Sequence, residues 1–182
     1  MTVSEIIRKR CTIREFNDKK VSLDIITELL ETSVWAPYHG ISEPWRFMVF
    51  SENGMEKLID MILQALSLPE RKEYGENLKT YLRTVPVAIA VVGKLDRNQK
   101  IMDEVSASVS ALIQNFQLAA WEKEIGVVWK TQSYMYAPQI SKSLELKPDE
   151  KLAGVLLCGY FDKKPTERFR KSAASRTIFI KE

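Results

Sequence analysis

The sequence predicts an α+β fold, and three observations lead there. Residues 86–93 and 152–161 are continuous apolar runs, the pattern of strands buried on both faces of a sheet. Around them lie segments with helical spacing, the longest from about Met102 to Lys123. The helices and strands follow one another without a regular βαβ repeat.

Taken in order, Thr2 followed by Glu5 reads as a capping box that opens a short helix to about Arg10, with Val3, Ile6 and Ile7 on its apolar face. A second helix starts at Ser22 and runs through Leu23, Ile26, Leu29, Leu30 and Val34. Pro37 ends it, because the residue before a proline is pushed from helical geometry. After a loop at 38–44, the aromatic and branched run 45–50 predicts a strand, with Trp45 in the core. Residues 54–66 return to helical spacing, and 70–82 predict a more polar helix. In the long 102–123 helix, Val105, Val109, Leu112, Ile113, Phe116, Leu118, Ala119 and Ala120 nearly encircle the axis, which predicts burial, in part against a second subunit. Gly126 is expected to stop that helix, followed by a short strand at 127–129 and another helix at 136–144. The basic tail from Lys163 ends in an apolar run, 177–180, which as a strand needs a sheet edge; a neighbour's edge is favoured.

At 182 residues and 45% hydrophobic content, the chain suits a single domain, 1–182. The 27 basic and 24 acidic residues nearly cancel to +3, which argues against a protein built to bind nucleic acid. No apolar run reaches the roughly 20 residues of a bilayer span, and the N-terminus lacks the order of a signal peptide. A cytoplasmic protein without membrane contact is expected. Cys11 and Cys158 make neither a disulfide framework nor a metal-ligand cluster, which fits a reducing compartment.

The most informative local feature is a basic knot, in which Arg8, Lys9, Arg10 and Arg14 crowd around Thr12. Like charges so close call for an anion among them or for separate solvation, and arginine forks match phosphate oxygens. Neither G-x-G-x-x-G nor a Walker A pattern is present, so a phosphate reading rests on the arginines. In an extended segment Arg10, Thr12 and Arg14 would project on one side. The other reading of the knot is a solvated basic turn. His39 is the only histidine, a residue type that is structural more often than catalytic. A Cys11 nucleophile with His39 as base lacks a third, orienting residue.

The segments Arg10 to Phe16, Ala36 to Phe47, Gly126 to Thr131 and Leu146 to Tyr160 stand in register, and together they resemble the nitroreductase family of FMN-dependent oxidoreductases. The segment from Arg10 through Cys11, Thr12, Ile13, Arg14 and Glu15 to Phe16 is similar to that family's R-x-S-x-R-x-F start. Ala36-Pro37-Tyr38-His39-Gly40-Ile41-Ser42-Glu43-Pro44-Trp45-Arg46-Phe47 is similar to A-P-S-x-x-N-x-Q-P-W-x-F. Gly126-Val127-Val128-Trp129-Lys130-Thr131 resembles the G-x-x-x-W-x-[TS] strand of the short, single-domain branch. Leu146, Glu150, Gly154 and Gly159-Tyr160 resemble the segment that closes the domain.

The resemblance implies a mixed sheet flanked by helices and a homodimer with the long helix at its interface. It further implies a C-terminal strand exchanged to the partner and FMN sites between subunits. Arg10, Cys11 and Thr12 would hold the phosphate and ribityl end, with Arg14 as a further cation. Trp35 and His39 would contact the flavin, and Trp129, Lys130 and Thr131 would line its ring or phosphate. Lys130 in particular could stabilise charge developing at N1 and the C2 carbonyl. The implied activity passes hydride from NADH or NADPH through flavin N5 to a nitro, quinone or similar small-molecule acceptor, in two half-reactions, with no catalytic protein acid or base required.

The departures are Ile41 for asparagine, Glu43 for glutamine, Thr12 for serine, and Cys11, which offers only its backbone where relatives have a second arginine. They leave open a related flavin task such as dehalogenation or azoline oxidation, and a non-catalytic flavin or nucleotide binder. Whether Arg168, Arg170 or Arg176 reaches the phosphate is also left open.

Overall fold

The computed structural model describes residues 1–40, 43–166 and 169–181. Helix α1 (Val3–Lys9) carries the expected capping box, and α2 (Leu23–Ser33) is capped by Ser22. Strand β1 (Trp45–Ser51) leads into the helical pair α3 (Asn53–Ala65) and α4 (Leu68–Arg83). A second capping box, Ser67 with Glu70, sets the start of α4 two residues before the expected Glu70. Strand β2 (Val87–Lys94), helix α5 (Gln99–Glu122) and strand β3 (Ile125–Lys130) follow. A 3₁₀ turn at Ser133–Tyr136, helix α6 (Pro138–Ser143) and strand β4 (Glu150–Tyr160) complete the folded body.

The strands form one sheet in the order β1-β2-β4-β3, and β2 is buried on both faces as its apolar run requires. Val87, Ile89 and Val91 face a core with α2 and α5, whereas Ala88, Ala90 and Val92 face a core with α3, α4 and α6. The expected mixed sheet is corrected: every pairing among the described strands is antiparallel. The connections explain this. Ser51 pairs with Val87, so the α3–α4 pair leaves and rejoins the sheet at the same end. Strands β2 and β3 do point the same way across α5, but β4 returns between them and separates them.

Two local expectations also change. Helix α5 ends before Gly126: Lys123 donates to carbonyls of the last turn, Glu124 takes φ 60°, and Gly126 lies inside β3. That glycine serves a close approach, since a Cβ there would sit 2.5 Å from the Ile13 Cβ. The expected 136–144 helix is divided because Pro138 holds Ala137 in extended geometry, φ −69° and ψ 136°.

The start of the tail is tied down. Phe161 stacks on Trp121 at 5.4 Å, Asn17 donates to Asp162 at 2.8 Å, and Lys164 lies over the Trp121 ring at 5.2 Å. Farther on, Phe169, Ile178, Phe179 and Ile180 are exposed, and the apolar run expected as a strand is not paired within the chain.

Candidate functional site

The basic knot straddles the end of α1. Arg10 is its C-cap, with φ −59° and ψ 128°, and there the backbone turns from helical to extended. The extended segment then lies along the sheet edge: Ile13 N–H donates to the Val127 carbonyl at 3.3 Å, and Asn17 N–H to the Tyr160 carbonyl at 2.9 Å. Cys11 and Ile13 pack toward Ile6 and Trp121, so the two-residue alternation leaves Thr12 and the exposed Arg14 on the other side. The Arg10 guanidinium donates to Oε1 of the buried Gln117 on α5 at 3.4 Å.

Strand β3 divides the other motif residues. Val128 joins the α3–α4–α6 core, so Lys130, two positions on, points to that same face. Its Nζ lies 5.3 Å from the Tyr81 ring centroid on α4. Burial, and after it the Arg14 charge, hold the Lys130 ammonium below the usual lysine range. Burial pushes the Tyr81 phenol up, with the Arg14 charge opposing. The ion pairs among the described residues join Lys20–Glu52, Arg46–Glu150, Arg83–Glu56, Lys100–Glu104 and Lys123–Glu28, and none contains Arg14 or Lys130. Among the described residues, Lys130 thus feels the Arg14 charge without a carboxylate partner of its own, beside a tyrosine whose buried hydroxyl has no hydrogen-bond partner.

Trp129 occupies the opposite face, packed with the α5 core, and its Nε1 donates to the Ala153 carbonyl at 3.3 Å. It lines a cavity of about 180 Å³ with Ser106, Ser110, Tyr136 and Lys151. Thr131 is the exposed residue just past β3. Trp35 and His39 are also exposed, on the loop after α2. That loop is fixed over α5 by a 2.6 Å bond from the Ser108 hydroxyl to the Pro37 carbonyl, and Tyr38 meets Trp45 edge-on at 6.3 Å. The Arg14 charge thus acts at Lys130, while Trp35, His39 and Trp129 lie on the α5 side of the sheet. Glu43, Arg170 and Arg176 are exposed, while Ile41 and Arg168 lie outside the described residues.

Sequence reasoning missed Tyr81. It is one of two tyrosines, with Tyr74, in a polar helix, and the approach of α4 to β3 that makes it important is a tertiary contact. A second cleft, of about 640 Å³, opens where Asn17–Leu23 meets Glu52, Glu56 and Arg83, and none of the motif residues lines it.

Fold and site together define an α+β protein in which Arg14 and Lys130, beside one sheet edge, have no ion-pair partner among the described residues. The family model described as the nitroreductase family matches residues 7–160, and the chain belongs to that family. It is 38% identical over 176 residues to YfhC of Bacillus subtilis (strain 168), provisionally named an NAD(P)H nitroreductase; the match covers 94% of this chain and 91% of that protein. A nitroreductase-like family protein from Bacillus cereus superposes with a TM-score of 0.95 at 34% identity, covering 99% of this chain and 96% of the other. The fold is shared with a provisionally assigned nitroreductase of Desulfovibrio desulfuricans solved in complex with FMN, at a TM-score of 0.74 and 22% identity over 98% of this chain and 96% of that one.

Proposed function

We propose that this chain is an FMN-dependent, NAD(P)H-consuming oxidoreductase, and the observation that carries the reading is the charge of Arg14 and Lys130 beside Tyr81, without an ion-pair partner among the described residues. The residues fit a dianionic, oxygen-rich cofactor. Cations kept together without an acid favour an anion between them, and a buried orphan hydroxyl favours a hydrogen-bonding ligand. When bound, FMN would supply hydride acceptance from NADH or NADPH at N5 and delivery to a nitro, quinone or similar acceptor.

The protein's part is to bind and orient. Arg10, the Cys11 backbone and Thr12 would hold the phosphate and ribityl end, and Arg14 would add charge there. Lys130 would neutralise charge at the ring's N1 and C2 carbonyl edge. The separation of Lys130 from Trp35 and His39 supports a homodimer, in which the partner's Trp35 and His39 complete each site and α5 lies at the interface. The exposed tail residues Phe169, Ile178, Phe179 and Ile180 support exchange of the C-terminal strand, which would add a strand to the partner's sheet. We assign 1–182 to one domain working in the cytoplasm.

The test is the absorption spectrum of the purified protein loaded with FMN, mixed anaerobically with NADH and then NADPH. The reading requires an oxidised flavin band that bleaches with at least one of them and returns on adding a quinone or nitroaromatic. A flavin band that neither nicotinamide bleaches would contradict it.

A further inference from the structure

Tyr81 combines three features that packing alone does not require. Its ring contributes to the α3–α4–α6 core, and Lys130 Nζ sits over that ring at 5.3 Å. Its Oη is buried and makes no hydrogen bond. The Arg14 charge, on the extended segment beside β3, acts on both Tyr81 and Lys130.

A buried hydroxyl without a partner is costly, and phenylalanine would fill the same core position without that cost. Among the described residues the hydroxyl has no acceptor, which leaves it available to a bound group. Its neighbours narrow the chemistry. Arg14 and Lys130 can only donate, so whatever they hold carries acceptor oxygens. Burial raises the phenol's pKa, and a phenol O–H is a donor that adds no third positive charge.

We propose that Tyr81 is a cofactor-site residue whose hydroxyl donates to an oxygen of the group held by Arg14 and Lys130; this rests on the FMN reading above. The acceptor is a carbonyl of the flavin ring or an oxygen of the phosphate, and the two share this chemistry.

The test compares wild type with Tyr81→Phe, both freed of flavin, by titration with FMN and with riboflavin followed through quenching of flavin fluorescence. A thermal melt of each flavin-free protein is recorded alongside. The expected result is FMN affinity weakened by about five- to tenfold, the worth of one hydrogen bond, with a melting midpoint equal to or above that of wild type. An equal loss for riboflavin assigns the donor to the ring, and a loss confined to FMN assigns it to the phosphate. Affinity within twofold of wild type for both ligands overturns the proposal. So does a lowered midpoint that falls together with affinity, which would make Tyr81 a packing residue. Wild-type protein that binds no FMN overturns the cofactor reading itself and this inference with it, an outcome distinct from a variant that merely matches wild type.

Discussion

At the scale of single residues, the chain treats its charges in two ways. Among the described residues Lys130 and Arg14 have no carboxylate partner, whereas Arg46 and Glu150 are fully matched: Nε and Nη2 of Arg46 donate to the two Glu150 oxygens at 2.8 and 2.7 Å. This fork spans β2 to join β1 to the start of β4, and Lys147 N–H adds a third bond to Glu150 at 2.9 Å. The Arg46 hydrogen bonds hold the Glu150 carboxyl down to about 2. A carboxylate with a depressed folded pKa stabilises the fold fully above its unfolded value of about 4.3, and that contribution is lost as pH falls toward the folded value. Urea midpoints across acid pH should therefore drop for wild type between about pH 5 and 2, while Glu150→Gln starts lower at pH 7 and falls less steeply. Parallel curves would contradict the assignment.

At the scale of elements, the apolar runs made β2 and β4 legible, and helical spacing placed α2, α3, α4 and α5 to within a few residues. Gly126 was not legible. Beside a helix end, a glycine suggests a stop, but here it is the contact point at which the Arg10–Asn17 segment meets β3, which only tertiary structure reveals. Alternation along β3 could have separated Trp129 from Lys130, because adjacent strand residues face opposite ways. The convergence of Lys130 with Tyr81 could not be read, since it depends on how α4 lies on the sheet. Gly126→Ala is expected to cost about 1–3 kcal/mol in chemical denaturation, through overpacking against Ile13, and to loosen the segment that carries Arg10 and Arg14. A variant as stable as wild type would show that this approach is not tight.

At the scale of the whole molecule, the motif residues lie on both sides of one sheet, and the tail's apolar residues are left exposed. In the proposed homodimer a second copy would account for both features at once. The contacts of Phe161, Asp162 and Lys164 fix where the tail departs, so a chain ending at Lys164 keeps its anchors and loses only the strap. Light scattering should find the full chain dimeric and the shortened one largely monomeric, with weaker FMN retention. A shortened chain that stays dimeric would limit the interface to α5 and its neighbours.

In the proposed site, the charge of Arg14 and Lys130, without a carboxylate partner among the described residues, holds the flavin cofactor. The most direct measurement is calorimetric titration of FMN into the flavin-free protein and into the Arg14→Gln/Lys130→Met variant. The account predicts saturable binding at one FMN per chain for wild type, and binding weakened by about a hundredfold or more for the variant, as expected when two charge-assisted contacts are lost. Equal affinity in the two proteins, or no binding by wild type, would contradict it.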